Sequence, residues 1–220
     1  MRTWFGRSVA AVKKTGDTPG SLQRPGRMGR NAGVSPGFFR ASLAAVGVLL
    51  SISAASGQNR LSPNNLAPFV PSPEPVVERM LEAADLKPGE TVYDLGCGDG
   101  RILFVAAQKF GARAVGVELS AKLVKQTADK ALALGLQNQI RVIEGNLLEV
   151  DVRPADVVTL YLQRLSNEKL KPILRKELKP GSRVVSHDYE IMGWKPFRVD
   201  KVMVYQRAHT IYVYRMPPVE

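Results

Sequence analysis

The sequence predicts an α/β protein: a Rossmann-like, mostly parallel sheet of seven strands with helices on both faces and a C-terminal antiparallel hairpin. Three observations predict it. Short β-rich runs alternate with helical stretches from residue 76 onward, which is the pattern of βαβ units. A glycine-rich turn falls between the first of those runs and the helix after it. The last two β-rich runs have no helix between them, so they form a hairpin at the sheet edge.

The elements follow in order. Val76–Ala84 reads as a helix, ended by Lys87-Pro88-Gly89. Thr91–Leu95 is a β-rich run. Arg101–Phe110 is helical, with Ile102, Leu103, Val105 and Ala106 forming an apolar side. Ala114–Val117 is a strand. Ser120 is an N-cap for a helix that reaches Ala133 and stops at Gly135. Ile140–Ile143 and Val157–Leu160 are strands. Asn167–Leu178 is a helix, ended by Lys179-Pro180-Gly181, and Arg183–Ser186 is the fifth strand. Lys201–Tyr205 and Thr210–Tyr214 are the closing pair, joined by a short polar turn.

Ahead of this domain, assigned to residues 61–220, lies a leader of different character. The net charge of +11 divides unevenly: residues 1–60 hold nine Lys/Arg against Asp17 alone, and residues 61–220 hold 22 basic and 19 acidic residues. The folded part therefore has little of the basic footprint that nucleic-acid binding demands, and no nucleic-acid partner is expected. Residues 1–40 are rich in Arg, Gly and Ser and lack apolar periodicity. Within residues 41–56, Ala41–Ala55 is an uncharged run of 15 residues, short against the roughly 20 of a membrane span. Its flanks fit a signal peptide with small residues at Ala54-Ala55-Ser56-Gly57, an organelle transit peptide, or a short uncleaved anchor. Either Met1 or Met28 serves as the start. Membrane contact through residues 41–56, or organelle targeting, is the expectation; secretion to an outer compartment is the alternative. The single cysteine, Cys97, excludes an intrachain disulfide framework and a multi-cysteine zinc site, and no metal is expected.

The residues that carry chemistry cluster after the first strands. Val92-Tyr93-Asp94-Leu95-Gly96-Cys97-Gly98-Asp99-Gly100 places three glycines where a strand gives way to a helix. Glycine lets the backbone approach a ligand and take positive φ. The spacing is G-x-G-x-G rather than the G-x-G-x-x-G of dinucleotide binders, and Asp94 stands two residues before the first glycine. A carboxylate there repels a pyrophosphate and suits a cationic ligand. Glu118, at the tip of the second strand, is placed to hold ribose hydroxyls. Glu144-Gly145-Asn146-Leu147 follows the third strand.

With these three segments the chain, over about residues 66–216, resembles the class I S-adenosylmethionine (SAM) dependent methyltransferases. The resemblance implies SAM as cofactor, with Asp94, Gly96, Cys97, Gly98 and Gly100 around its methionine and ribose part and Glu118 on the ribose. It implies that Asn146, where the family usually has Asp, accepts from the adenine amino group, and that Leu147 packs on the ring. A narrower resemblance rests on Pro68-Phe69-Val70-Pro71-Ser72, on Gly98-Asp99-Gly100-Arg101-Ile102 and on the short C-terminal layout. These are similar to the mitochondrial protein-lysine methyltransferases of the ATP synthase c-subunit and the adenine nucleotide translocase, and their bacterial relatives. That likeness implies a lysine acceptor on a protein, possible membrane association of the target, and a lid over the cofactor formed in part by Val70 and Pro71.

On the acceptor side, Thr159-Leu160-Tyr161-Leu162-Gln163 lacks the Asn/Asp-Pro-Pro-Tyr of the DNA-adenine and glutamine methylating branches. Tyr161 or Gln163 is a candidate acceptor-site residue. His187-Asp188 follows the fifth strand at the same carboxyl edge and supplies a candidate base. A lysine acceptor must lose a proton first, because its free pKa is near 10.4. A small-molecule N- or O-methyltransferase, or a SAM-binding module without catalysis, is the alternative reading.

Overall fold

The computed structural model describes residues 69–219. The basic leader and the apolar run expected within residues 1–60 lie outside the described residues. Among the described residues no helix is long and apolar enough to cross a membrane.

Eleven elements follow one another: α1 (Glu74–Ala83), β1 (Thr91–Leu95), α2 (Arg101–Phe110), β2 (Arg113–Glu118), α3 (Ala121–Ala133), β3 (Ile140–Glu144), β4 (Val157–Leu160), α4 (Arg164–Glu177), β5 (Arg183–His187), β6 (Arg198–Val204) and β7 (Arg207–Arg215). The seven strands form one sheet in the order β3-β2-β1-β4-β5-β7-β6. Five are parallel; β7 runs antiparallel to both β5 and β6. The order reverses at β1: one half of the chain winds outward through β2 and β3, the other through β4 and β5. That switch point opens a crevice at the carboxyl ends of the strands.

β1 and β4 are buried along their whole length, as central parallel strands covered on both faces are. α1 and α2 cover one face of the sheet with Val76, Val77, Met80, Leu81, Leu103 and Ala106. α4 covers the other with Leu170 and Leu174, which share a cluster with Trp194 and Tyr214. The Tyr214 hydroxyl accepts from the Ile191 N–H at 2.9 Å, tying β7 to the loop after β5.

Three boundaries depart from the sequence reading for identifiable reasons. α1 stops at Ala83, several residues before Lys87-Pro88-Gly89. The Leu86 N–H reaches the Leu81 carbonyl and the Asp85 N–H the Glu82 carbonyl, a Schellman closure whose left-handed residue is Asp85 (φ 53°) rather than glycine. α4 begins at Arg164, three residues before the expected start, where no side chain caps it to mark the N-terminus; Pro172 sits in its interior, and it ends at Glu177, just before Lys179-Pro180-Gly181. β6 begins at Arg198 instead of Lys201, because its inward-facing Asp200 breaks the apolar alternation. Asp200 is held there by Arg79 of α1 at 2.9 Å and Arg198 at 3.0 Å. The β6–β7 turn is two residues, Tyr205 and Gln206, both at positive φ, as a type I′ hairpin requires.

Candidate active site

A cleft of about 480 Å³ opens at the carboxyl edge, within the range of small-molecule sites. Its floor comes from the end of β1 and the turn after it: Asp94, Gly96 and Cys97. Val117, Glu118 and Leu119 at the end of β2 and Gly145 and Leu147 after β3 line one side. Tyr161 and Leu162 after β4 line the other, and Phe69, Val70, Pro71 and Ser72 lie across it.

The glycine turn is held from behind and in front. The Gly96 and Cys97 N–H groups both donate to the Val117 carbonyl, at 2.8 and 3.0 Å, which bends the chain away from the β1 line. Gly98 stands at φ 54° with the Phe69 ring directly over the place a Cβ would take. Gly100 is the left-handed residue at the start of α2, and Thr127 of α3 fills the space beside it. Neither position has room for a side chain. Neither glycine lines the cleft surface; they shape the turn that Gly96, Cys97 and Asp99 present to it.

Asp94 is buried and accepts a hydrogen bond from the Thr159 hydroxyl at 2.8 Å. Burial pushes its carboxyl up to about 7, against the bond from Thr159, with the charges of Glu118 and Asp99 adding to the rise. A cation in the cleft would meet a carboxyl ready to ionise. Glu118 closes the turn from the β2 side: one oxygen accepts from the Gly98 N–H at 3.0 Å and the other from the Ser120 N–H at 2.9 Å. Both oxygens keep a free lone pair for ligand hydroxyls. Cys97 is buried with Sγ against Gly116, and burial raises its thiol pKa, so it is a packing residue rather than a nucleophile.

One further expected cofactor contact and the expected catalytic pair are also placed away from the cleft. Asn146 does not line the cleft: its side-chain oxygen accepts from the Leu148 N–H at 3.0 Å and its NH₂ donates to Glu149, an Asx turn that faces it outward. Leu147 and Gly145 stand at the cleft in its place. His187 and Asp188 do not line the cleft either. His187 is fully buried behind Tyr161, whose ring stacks on it at 3.9 Å. Burial draws its pKa down to about 4, so it is neutral near pH 7.

Sequence reasoning missed four participants. Ser72 lines the cleft and bonds to His187 Nδ1 at 2.9 Å. Arg101 donates to the Ser72 carbonyl and, with Nε and a terminal nitrogen, to the Asp99 carboxylate, tying the segment across the cleft to the start of α2. Thr159 holds Asp94. His209 on β7 bonds to His187 Nε2 at 2.8 Å. One signal was available for the last: the chain has only two histidines, and strands β5 and β7 carry one each.

Comparison with known proteins agrees with this geometry. The ANTKMT methyltransferase domain family matches residues 94–198, which run from the buried carboxyl of β1 into β6. A protein-lysine N-methyltransferase of Saccharolobus islandicus (strain REY15A) is 48% identical over 148 residues, covering 67% of this chain and 92% of the relative. The adenine nucleotide translocase lysine N-methyltransferase of Mus musculus is 33% identical over 144 residues, 63% of this chain and 62% of its own. Among solved structures, an RNA methyltransferase from Salinibacter ruber in complex with S-adenosyl-L-homocysteine is 44% identical, covers 67% of this chain and 94% of that one, and superposes with a TM-score of 0.64. The chain is thus an enzyme that uses S-adenosylmethionine, a member of the SAM-dependent methyltransferase family that includes the protein-lysine N-methyltransferases.

Proposed function

We propose that this enzyme transfers the methyl group of SAM to the side-chain nitrogen of a lysine on a protein, and that the target is membrane-associated. The observation that carries the acceptor class is the 48% identity with a protein-lysine N-methyltransferase across 92% of that relative. The cleft supports it. Among the described residues only the Phe69–Ser72 segment lies across its mouth, and Phe69 and Val70 are half exposed there, an apolar rim suited to the stem of an extended side chain. The near balance of charge in residues 61–220, 22 basic against 19 acidic, argues against a nucleic-acid acceptor. The similarity to a structure described as an RNA methyltransferase favours RNA as the second reading. Membrane association rests on the apolar run Ala41–Ala55 and on the likeness to the enzyme named for the adenine nucleotide translocase. On this reading the leader is retained, with the catalytic domain on the SAM-containing side of the membrane.

The residues divide the work across the sheet. When bound, SAM supplies an electrophilic methyl group for in-line displacement, and the protein supplies orientation and electrostatics. On the β2–β3 side, Glu118 is placed for the ribose and Leu119 and Leu147 for the adenine faces. Asp94, beneath the turn, faces the cationic methionine end. On the β4–β5 side, Tyr161, Leu162 and Ser72 bound the space left for the acceptor nitrogen. The test is methyl-labelled SAM supplied to the full chain with membrane protein, soluble protein and total RNA, followed by hydrolysis and peptide mass spectrometry. Methyl-lysine, richest in the membrane fraction, is expected. Label confined to RNA, to small molecules or to other side chains rejects the lysine reading. Equal labelling of soluble protein rejects the membrane target.

A further inference from the structure

We propose that Ser72, His187 and His209 form a proton relay that takes the proton from the acceptor ammonium and delivers it to His209 beside Asp188. The inference rests on the lysine reading above, since only an amine acceptor arrives protonated near pH 7.

The geometry is continuous from the cleft wall to β7. Ser72 is part of the cleft wall, and its buried hydroxyl lies 2.9 Å from His187 Nδ1. His187 Nε2 is 2.8 Å from His209 Nδ1. Asp188 Oδ2 lies 3.4 Å from each of those two ring nitrogens. The chain's only two histidines, 22 positions apart, are thus joined in one buried hydrogen bond, 0% and 3% exposed. A buried polar pair of this kind has a desolvation cost that packing alone would avoid. Asp188 is held in a left-handed backbone conformation (φ 60°), rare for a residue other than glycine. Its other oxygen accepts from the Thr210 N–H at 2.8 Å, and Arg207 donates to Oδ2 at 3.0 Å. In this conformation the carboxylate approaches both rings.

The step balances with a single proton. His187 begins with its proton on Nε2. The acceptor ammonium gives a proton to Ser72 Oγ, the Ser72 hydroxyl proton passes to His187 Nδ1, and the His187 Nε2 proton passes to His209 Nδ1. The acceptor becomes a neutral amine, Ser72 and His187 end neutral, and His209 becomes an imidazolium paired with Asp188. The lone pair freed on nitrogen is the one that forms the N–C bond as the C–S bond of the sulfonium breaks. Burial keeps His187 unprotonated at rest, so its Nδ1 is available as acceptor. Tyr161 is the competing group at the cleft; burial and the Asp188 charge hold its phenol protonated, so it stacks rather than accepts. The charged groups bearing on the relay are Asp188 after β5, Arg207 of β7 and the Arg101–Asp99 pair behind Ser72.

The same three donor atoms are near enough to one another to suggest a cation site. Arg207 already places its guanidinium on the carboxylate oxygen that a metal would need, and the two ring nitrogens are at hydrogen-bond distance. The test therefore includes a chelator arm.

The experiment measures kcat against pH for the full chain and for Ser72→Ala, His187→Gln and His209→Gln. Unfractionated protein of the expression host is the acceptor, methyl-labelled SAM the donor, and methyl-lysine the product counted. SAM affinity by calorimetry reports that each variant is folded. Expected is a loss of kcat of at least tenfold at pH 7 in each variant, shrinking to less than threefold at pH 10, where solvent supplies free amine. Because His209 does not line the cleft, its variant is the decisive one. The relay is overturned by unchanged kcat at pH 7, by a loss equal at pH 7 and pH 10, or by a wild-type activity that EDTA abolishes and zinc restores. Wild type that makes no methyl-lysine at all overturns the lysine reading, and the relay with it.

Discussion

Asp94 shows how much one buried side chain decides. A carboxyl pushed up to about 7 is half protonated in the free enzyme at neutral pH. A cationic ligand favours the carboxylate, so binding releases a proton and affinity must rise with pH until the free group is fully ionised. SAM affinity is expected to fall about tenfold from pH 8 to pH 6 in calorimetry, and Asp94→Asn should bind weakly with no such slope. A flat profile in the wild type would place the cationic end elsewhere. Glu118 invites a second measurement. Glu118→Ala should weaken SAM binding by about 1.5–3 kcal/mol, the range for a hydrogen bond to a charged group, while the domain stays folded. The change also frees the Gly98 and Ser120 N–H groups, so loosening of the turn is part of the effect. At this scale the sequence was informative about identity and less so about role. Asp94 and Glu118 stand at the cleft as their spacing implied. Asn146 does not, because a side-chain amide two residues from a free N–H closes an Asx turn on itself, and no spacing rule reports which competitor wins.

At the scale of elements, the glycine turn and the segment over it are one unit. The Phe69 ring occupies the volume beside Gly98, and Arg101 of α2 anchors the Ser72 carbonyl. Gly98→Ala therefore meets both a positive φ and an aromatic ring. It should cost about 1–2 kcal/mol from the left-handed conformation alone, and more from the collision. Adding Phe69→Ala should recover the collision part and leave the strain; thermal unfolding of the two variants separates them, and no recovery would mean the ring does not sit over the turn. The strand and helix set was largely legible, because β1, β2 and α3 announce themselves with β-branched runs, a Ser120 cap and Gly135. β6 was not, because its inward Asp200 is compensated by Arg79, 121 positions earlier, and only the packed pair makes the alternation sensible.

The whole molecule joins two halves of a sheet at a switch point, and ligand binding there braces both. SAM at 100 times its Kd should stabilise the folded state by about 2.7 kcal/mol and raise Tm by roughly 5–10 °C. Every cleft residue named above lies between 69 and 162, so a chain begun at residue 61 is expected to show the same shift. A folded truncated chain without the shift would place part of the site in the leader.

The amino-acid sequence by itself determined the sheet class and the glycine turn with its flanking carboxylates, and through the family resemblance these carry it implied the cofactor, because they are local patterns in which backbone conformation and chemistry are set within a few residues. Only the tertiary structure decided the acceptor side. Ser72 and His187 are 115 positions apart and His187 and His209 are 22 apart. They meet because the lead-in segment crosses the carboxyl ends of the strands and β7 inserts antiparallel beside β5. That pairing puts His187 opposite Ile211, two residues from His209. Contacts of that kind depend on sheet order, which periodicity along a chain does not contain.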